Sequence, residues 1–497
     1  MLMKKKMKIF FKSLCFKGVL PCLIVGALAS CAQGFDNDEL YTSKVTDSQL
    51  ESPAQNELTF SSKVNADGTE SIQVTWPVVS GAGGYQCRVC IVDDPANPVE
   101  IFNQVVDGTS FLFDKQEDTR YEVSIQTLGD EELGNTDATQ ATIVDYTTLL
   151  QAQTIPAGTD IVEFIKANIL DQDEEQAFEL EGGATYEINS ELDFGTRQVT
   201  FRGDKTNRPI VKFGIDGVIR TCGGLKIKFI NFDCTEQASN GVVECTSNPP
   251  ASLAASNFGH PGSVYILQNP IIFQECFFRN VPRCLFHTGY SAWGVEDVRV
   301  TDCIVQLDND GSTFGDGAVL STCGDSYFNG SQSWAGAIRN ITIRNSTIYN
   351  IKKNAKNRMI RFWSNQMGRI YNSQYGSATI ENCTFSQTFT DKEFANNTPN
   401  RAEYTITFNN NICYDCWRLQ KFIQGNCTKN VNKSSNTIWG VTQSVDSTDK
   451  GSYATEEDPL FAGDITQPLD LAQPNGGVNF RASGSISSTI GDPRWRE

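Results

Sequence analysis

Apolar and polar residues alternate with a period of two along most of this chain. That pattern predicts short β-strands, because successive side chains on a strand point to opposite faces. Between Leu58 and about Thr148, Ile72, Val74 and Trp76 alternate, Gly81 to Gly84 make a turn, and Tyr85, Cys87, Val89 and Ile91 alternate again. Further strands are expected at Ser110–Phe113, Arg120–Leu128 and Thr139–Tyr146. Some seven short strands in roughly 90 residues describe a sandwich of two sheets. A single helical segment follows. Asp160 is placed to cap it, Glu163 to reach back, and Ile161, Phe164, Ile165 and Ile169 lie on one face. One amphipathic helix followed only by β signals suits a cap over the open end of a solenoid core.

Beyond that helix the pattern becomes a repeat. Ile271–Phe278, Val298–Val305, Ile341–Ile348, Ala378–Phe385 and Ile406–Cys413 share one register: apolar, any, apolar, any, acidic or Asn, small, any, apolar. The fifth position reads Glu275, Asp302, Asn345, Asn382 and Asn410, and the sixth Cys276, Cys303, Ser346, Cys383 and Asn411. Ile227–Cys234 is a looser member. The starts are 27, 43, 37 and 28 residues apart, as in coils of about 25 residues of which two carry loops. In such a coil two apolar residues face inward, the polar residue bends the chain and the small one fits the corner. A right-handed parallel β-helix accounts for one polar position per unit; a β-propeller, whose blades have a similar period, is the main rival. The fold class is therefore all-β, a sandwich followed by a β-helix.

The N-terminus changes where this protein is expected to work. Lys4, Lys5, Lys6, Lys8, Lys12 and Lys17 precede an apolar run from Val19 to Leu28, too short to span a bilayer and ending in small residues, so residues 1–30 read as a secretory signal. Its end, Leu28-Ala29-Ser30-Cys31, resembles a bacterial lipobox, which implies acylation of Cys31 and an outer-membrane anchor held by its lipid chains. Asp36, Asp38 and Glu39 resemble the surface-export signal of Bacteroidetes-type lipoproteins, within an acidic tether at 31–56. The sandwich (57–148), with its early Trp76 and with Tyr121 opening a late strand, resembles a fibronectin type III domain. The cap helix and coils (149–497), together with Asp458-Pro459-Leu460-Phe461 and Gly491-Asp492-Pro493-Arg494-Trp495, resemble two-part lipoproteins of the pectin lyase-like superfamily. There are 16 cysteines; their recurrence at one repeat position favours them as small buried hydrophobes rather than a disulfide framework.

Charge supplies the functional expectation. The chain carries a net charge of −18, yet residues 330–440 hold 14 basic and 5 acidic residues. A basic island in an acidic protein points to an anionic ligand. It is densest at Lys352, Lys353, Lys356, Arg358, Arg361 and Arg369, with Trp363, Tyr371 and Tyr375 interleaved. Cations pair with carboxylates and flat rings stack on sugars. A surface lipoprotein does not meet nucleic acid as a specific ligand, so the expected partner is an acidic polysaccharide of uronic acids, captured for a glycan uptake complex. The resemblance to pectate lyase-like enzymes implies an alternative, β-elimination. Lys356, Arg358 and Arg361 are then the candidate bases, and Asp308, Asp310 and Asp316 the candidate Ca²⁺ ligands in an Asp-rich turn. With only His260 and His287 present, several-His zinc sites and Ser–His–Asp triads are poorly supported. His287 reads as an ordinary coil residue.

Overall fold

The computed structural model describes residues 45–238, 240–260, 264–289, 293–310, 318–322, 336–353, 356–361, 366–396, 398–483, 486 and 488–496. It forms two compact units. One runs up to Thr147; the other runs from Thr148 onward and includes the short segments Asp93–Ala96 and Glu117–Thr119.

The first unit is a sandwich of antiparallel sheets. Thr59–Val64, Glu70–Thr75 and Ser110–Asp114 form one sheet in that order, and Val99–Val106, Ala82–Ile91, Arg120–Gly129 and Thr142–Thr147 form the other. Period-two alternation sends Ile72, Val74, Tyr85, Cys87, Val89, Tyr121, Val123 and Ile125 inward to one core. The expected turn at Gly81–Gly84 is shorter than the sequence suggests: the strand already begins at Ala82, and the register shifts at Gly84. The Tyr121 hydroxyl accepts the Gln116 N–H at 2.7 Å, tying the strand start back to the preceding loop. The acidic tether also ends earlier than expected. The Asp47 N–H donates to Leu133 O at 2.9 Å, and Leu50 is buried.

The second unit is a parallel β-helix of three sheets with, among the described residues, eleven, nine and seven strands. Helix Ile161–Asn168 caps its start, and Asp160 accepts the Glu163 N–H at 3.0 Å. Glu163 turns to Lys166 at 3.1 Å instead of back to the cap, so only half of the expected capping box is recorded.

Every repeat predicted from sequence is a corner between a first-sheet and a second-sheet strand. Ile271–Gln274 pairs in parallel with residues of Trp293–Thr301, and Phe277–Val281 with Ile304–Leu307. The fifth-position residues all take left-handed backbone, with φ of 51° at Glu275, 55° at Asp302, 49° at Asn345, 56° at Asn382 and 58° at Asn410. Asn and Asp tolerate that region better than other side-chain-bearing residues. The sixth-position residues point inward and are fully buried. There the polar ones do the work of a ladder. Ser346 Oγ accepts the Cys303 N–H at 3.1 Å, Asn411 Oδ1 the Cys383 N–H at 3.0 Å, and Asn436 Oδ1 the Asn411 N–H at 3.0 Å. Inside, Phe213, Phe232 and Phe278 stack coil on coil at 5.7 and 5.0 Å.

One register differs from expectation. Leu225, not Ile227, is the partner of Ile271, and Phe229 (φ 59°) fills the fifth position. A phenylalanine there hides the polar signature, which is why the looser unit appears displaced by two residues.

The C-terminal segment returns along the outer face of the second sheet. Leu469, Leu471, Val478, Phe480 and Trp495 pack against Phe277, Ile304 and Tyr349. Trp495 Nε1 donates to Thr347 Oγ1 at 2.7 Å, Arg494 to Asp302 O at 2.9 Å, and Arg496 to Asn382 Oδ1 at 2.9 Å. Nearer the last coil, the buried Asp449 accepts the Leu419 N–H at 2.6 Å. Desolvation pushes its carboxyl up to about 7.

Replacing Asn411 with Ala strands the Cys383 N–H and the Ile380 carbonyl, which Asn411 Nδ2 reaches at 3.0 Å. The expected loss is about 2–4 kcal/mol in urea unfolding. Asn410→Gly should stay within about 0.5 kcal/mol, and Asn410→Val should lose roughly 1–3 kcal/mol for forcing a β-branched residue into left-handed backbone. For Asp449 the folded pKa lies above the unfolded 3.8, so its contribution is present below about pH 4 and is lost as pH rises to about 7. Relative to wild type, Asp449→Asn should therefore gain roughly 2–4 kcal/mol between pH 4 and 8, since each pKa unit is about 1.4 kcal/mol. Thermal unfolding of both proteins across that range checks the sign.

Candidate functional site

The third sheet follows a second repeat in the sequence, two apolar residues and then a polar one: Ile219-Arg220 after Val218, Val243-Glu244 after Val242, Phe286-His287 after Leu285, Leu320-Ser321 after Val319, Ile360-Arg361 after Met359, and Ala395-Asn396 after Phe394. The apolar residues are buried, and alternation turns the next residue away from the core. The register then stacks the polar residues. Arg220 stands beside Glu244, Glu244 beside His287, His287 beside Ser321, Ser321 beside Arg361 and Arg361 beside Asn396. With parallel strands about 4.8 Å apart, the six form a stripe of roughly 24 Å. None is more than 9% exposed. A buried stripe of ionisable and amide groups is costly to keep and is the least expected feature of the β-helix wall.

Its first end is an ion network. Glu244 Oε2 lies 3.1 Å from Arg220 Nη1, and Oε1 accepts the Gly241 N–H at 2.8 Å and lies 3.9 Å from Arg283 Nη1. Arg220 Nε also meets Glu191 at 2.6 Å. In the middle, His287 Nδ1 accepts the Gly289 N–H at 2.9 Å, which places the proton of the neutral ring on Nε2. That nitrogen is a fixed donor. Toward the far end Arg361 and then Asn396 are buried, and Arg358 pairs with Glu393 at 2.9 Å.

The basic island expected from sequence divides in two. Lys352, Lys353 and Lys356 sit on the turn leading from strand Thr347–Asn350 of the second sheet into strand Arg358–Arg361 of the third. They therefore precede the strand whose last residue, Arg361, belongs to the stripe. Lys353 is exposed, and the side chains of Lys352 and Lys356 are 53% and 62% exposed. Much of their charge is met locally. Lys352 Nζ lies 2.9 Å from Asp308, which raises its pKa, and Lys356 Nζ lies 3.7 Å from Asp391. The second part follows a different element. Arg369 is exposed on the short helix Gln366–Ile370, and Tyr375 is half-buried beside Gly368. Tyr371, expected as a sugar-stacking surface, is fully buried, with Arg339 over its ring at 5.4 Å and His260 at its edge at 5.2 Å. Gly294 makes this possible, since a Cβ there would come within 2.8 Å of the Tyr371 hydroxyl.

Of the expected calcium turn, Asp308 and Asp310 lie among the described residues. A lysine ammonium already neutralises Asp308, and Asp310 contributes its backbone carbonyl to the Lys356 N–H at 2.9 Å. Among the described residues no group of three or more His, Cys, Asp or Glu is placed to share a metal ion. Cys31, Asp316 and Trp363 lie outside the described residues. The sequence reading included Arg361 but missed the stripe it belongs to, whose signal was the polar residue after each apolar pair.

Fold and site define a class: an all-β chain whose parallel β-helix bears a buried polar stripe on one sheet. A family model described as a domain of unknown function, DUF4992, matches residues 3–195, and a second, DUF4957, also a domain of unknown function, matches residues 184–351. No curated protein matches. Among solved structures the chain is similar to a mutant of the PL6 family alginate lyase AlyGC, at 10% identity and a TM-score of 0.32, over 64% of this chain and 45% of that one. This chain thus spans less than half of that lyase. It is also similar to the pectate lyase PelI from Erwinia chrysanthemi in complex with tetragalacturonic acid, at 11% identity and a TM-score of 0.22, over 66% of this chain and 84% of that one.

The ion network predicts an asymmetry. Glu244→Leu leaves Arg220 and Arg283 buried against no carboxylate on that side and should cost about 3–5 kcal/mol in urea unfolding. Replacing all three residues with apolar ones of similar volume should recover most of it. A loss below about 1 kcal/mol for Glu244→Leu would mean that the carboxylate is not compensating buried charge.

Proposed function

We propose that this protein is a lipid-anchored surface protein that captures an acidic, uronic-acid polysaccharide along the third sheet of its β-helix. The observation that carries the reading is the succession of two features along one coil: exposed ammonium groups at Lys352, Lys353 and Lys356, and then the strand that contributes Arg361 to the stripe. The lysines supply a field that draws in a polyanion and weakens with salt. Their bonds to Asp308 and Asp391 do not prevent this, because exposed ion pairs are worth only about 0.2–1 kcal/mol each and exchange readily for a polymer carboxylate. Arg361 supplies a planar fork suited to carboxylate, and His287, Ser321 and Asn396 supply hydrogen bonds for hydroxyl groups.

The anchor rests on Cys31 after its signal, and the Asp36–Glu39 segment favours surface exposure and partnership with a glycan uptake complex. The sandwich is assigned to the fibronectin type III kind on its three-plus-four strand order and the Tyr121 hydroxyl contact. Cleavage by β-elimination is the second reading. The fixed Nε2–H of His287 favours it, as a donor placed two strands from Arg361.

One experiment separates the two. The purified ectodomain is run through gels containing polygalacturonate, alginate or a neutral glucan, and parallel samples are followed by the absorbance of unsaturated product, with and without Ca²⁺. Retardation on the acidic polymers alone is expected, weakened at least tenfold by Lys352→Glu with Lys353→Glu and by Arg361→Met. Product that disappears in His287→Gln would establish the lyase reading. Equal mobility on all three polymers, with no product, would sink both. In cells, Cys31→Ala should abolish palmitate labelling.

A further inference from the structure

The C-terminal strap does not lie flush on the second sheet. Between them is a cavity of about 160 Å³ with a buried floor and an exposed rim. Its floor is Thr384 and Ile412 from the sheet and Phe480 and Trp495 from the strap; Arg481 and Arg496 lie at its sides. None of these residues belongs to the stripe or to the lysine turn, which concern the third sheet and its approach.

The chemistry of the lining is selective. Phe480 and Trp495, both almost wholly buried, give the cavity an apolar wall against which a sugar ring can rest. The charge balance is positive. Asp492, the cavity's only carboxylate among the described lining residues, is already engaged by Arg494 at 2.9 Å and Thr347 Oγ1 at 2.8 Å. Arg496 uses Nε and Nη2 on Gly491 O and Asn382 Oδ1. Its Nη1 has no hydrogen bond among the described residues. The Arg481 guanidinium forms no hydrogen bond or ion pair among them either, and Arg481 is exposed at the rim. Two guanidinium groups with spare donors beside aromatic faces match a ring that carries a carboxylate. The cavity opens at its exposed rim, and about 160 Å³ leaves room for a single ring seated there and not for a chain.

We infer that this cavity is a separate binding site for one carboxylate-bearing sugar ring, a free uronic acid or the end residue of a uronic-acid chain. The carboxylate meets Arg481 and Arg496, and the ring rests against Trp495 and Phe480. The site goes beyond the polymer-capture reading and stands without it, because it uses other residues on another sheet.

The test uses the purified mature ectodomain and galacturonic acid, glucuronic acid and mannuronic acid as probes, with galactose as the neutral match, followed by isothermal titration and saturation-transfer NMR. At least one uronic acid should bind saturably, and galactose at least tenfold more weakly. Arg481→Glu removes the rim cation, and Ala482→Trp fills the cavity from its half-buried wall. Each should weaken binding at least tenfold while leaving the melting temperature within about 2 °C, since neither residue anchors the strap. Lys352→Glu with Lys353→Glu should leave monosaccharide binding unchanged, so a failure of polymer capture and a failure of this site are told apart. No saturable binding by any uronic acid, equal binding of galactose, or full binding in both cavity variants would each overturn the inference.

Discussion

The structure depends on the corner that joins each first-sheet strand to its second-sheet neighbour. A parallel β-helix has no hairpins, so every coil must turn within its own backbone and still deliver the next strand in register. One residue in left-handed backbone followed by one small inward residue accomplishes this. Asn382 and Cys383, or Asn410 and Asn411, are typical pairs. The corner leaves an amide N–H buried without a strand partner, and the next coil's Ser346, Asn411 or Asn436 accepts it. Each corner is therefore completed by the coil after it, which makes stacking cooperative. The strap draws on the same corners, with Arg494 and Arg496 bonding to Asp302 and Asn382.

With register set at those corners, the other faces are free to differ. The second sheet spends its outer face on Leu469, Phe480 and Trp495. The third is left to carry polar groups in a row, because parallel in-register pairing brings equivalent residues of successive coils side by side. Arg220, Glu244, His287, Ser321, Arg361 and Asn396 are far apart in sequence and become neighbours for this reason alone.

The same logic explains what could be read from the chain. The corner motif was legible because it combines three constraints in eight residues: alternation, a residue that tolerates positive φ, and a small side chain. It failed at Phe229, where an apolar residue takes the left-handed turn. It also missed the coils built on Gln176–Leu180 and Val199–Arg202, which are not followed by that corner. The stripe was not read, although its doublet-plus-polar pattern is present, because the insertions between coils change its spacing. Charge was the least reliable guide. A count of lysines and arginines cannot show that Asp308, Asp391 and Glu393, all from neighbouring coils, stand opposite Lys352, Lys356 and Arg358. Nor can it show that a glycine at 294 admits Tyr371 to the interior.

Stability alone gives little reason to bury Glu244 between two arginines. Desolvating three charges costs several kcal/mol each, and their mutual attraction does no more than offset it in favourable geometry; well-packed apolar residues would serve as well or better. The core-facing column of the second sheet, Phe213, Phe232 and Phe278, shows that this chain builds apolar stacks where packing is the only demand. A polar column kept at the cost of that alternative, with Arg361 on the strand that follows a lysine-bearing turn, is understandable if its groups are held ready for a polar partner. Rigid strands fix their spacing beforehand, so the ordering cost is met during folding and not at each encounter. If the proposed capture holds, the stripe, rather than the number of cations nearby, is where the polymer should be sought.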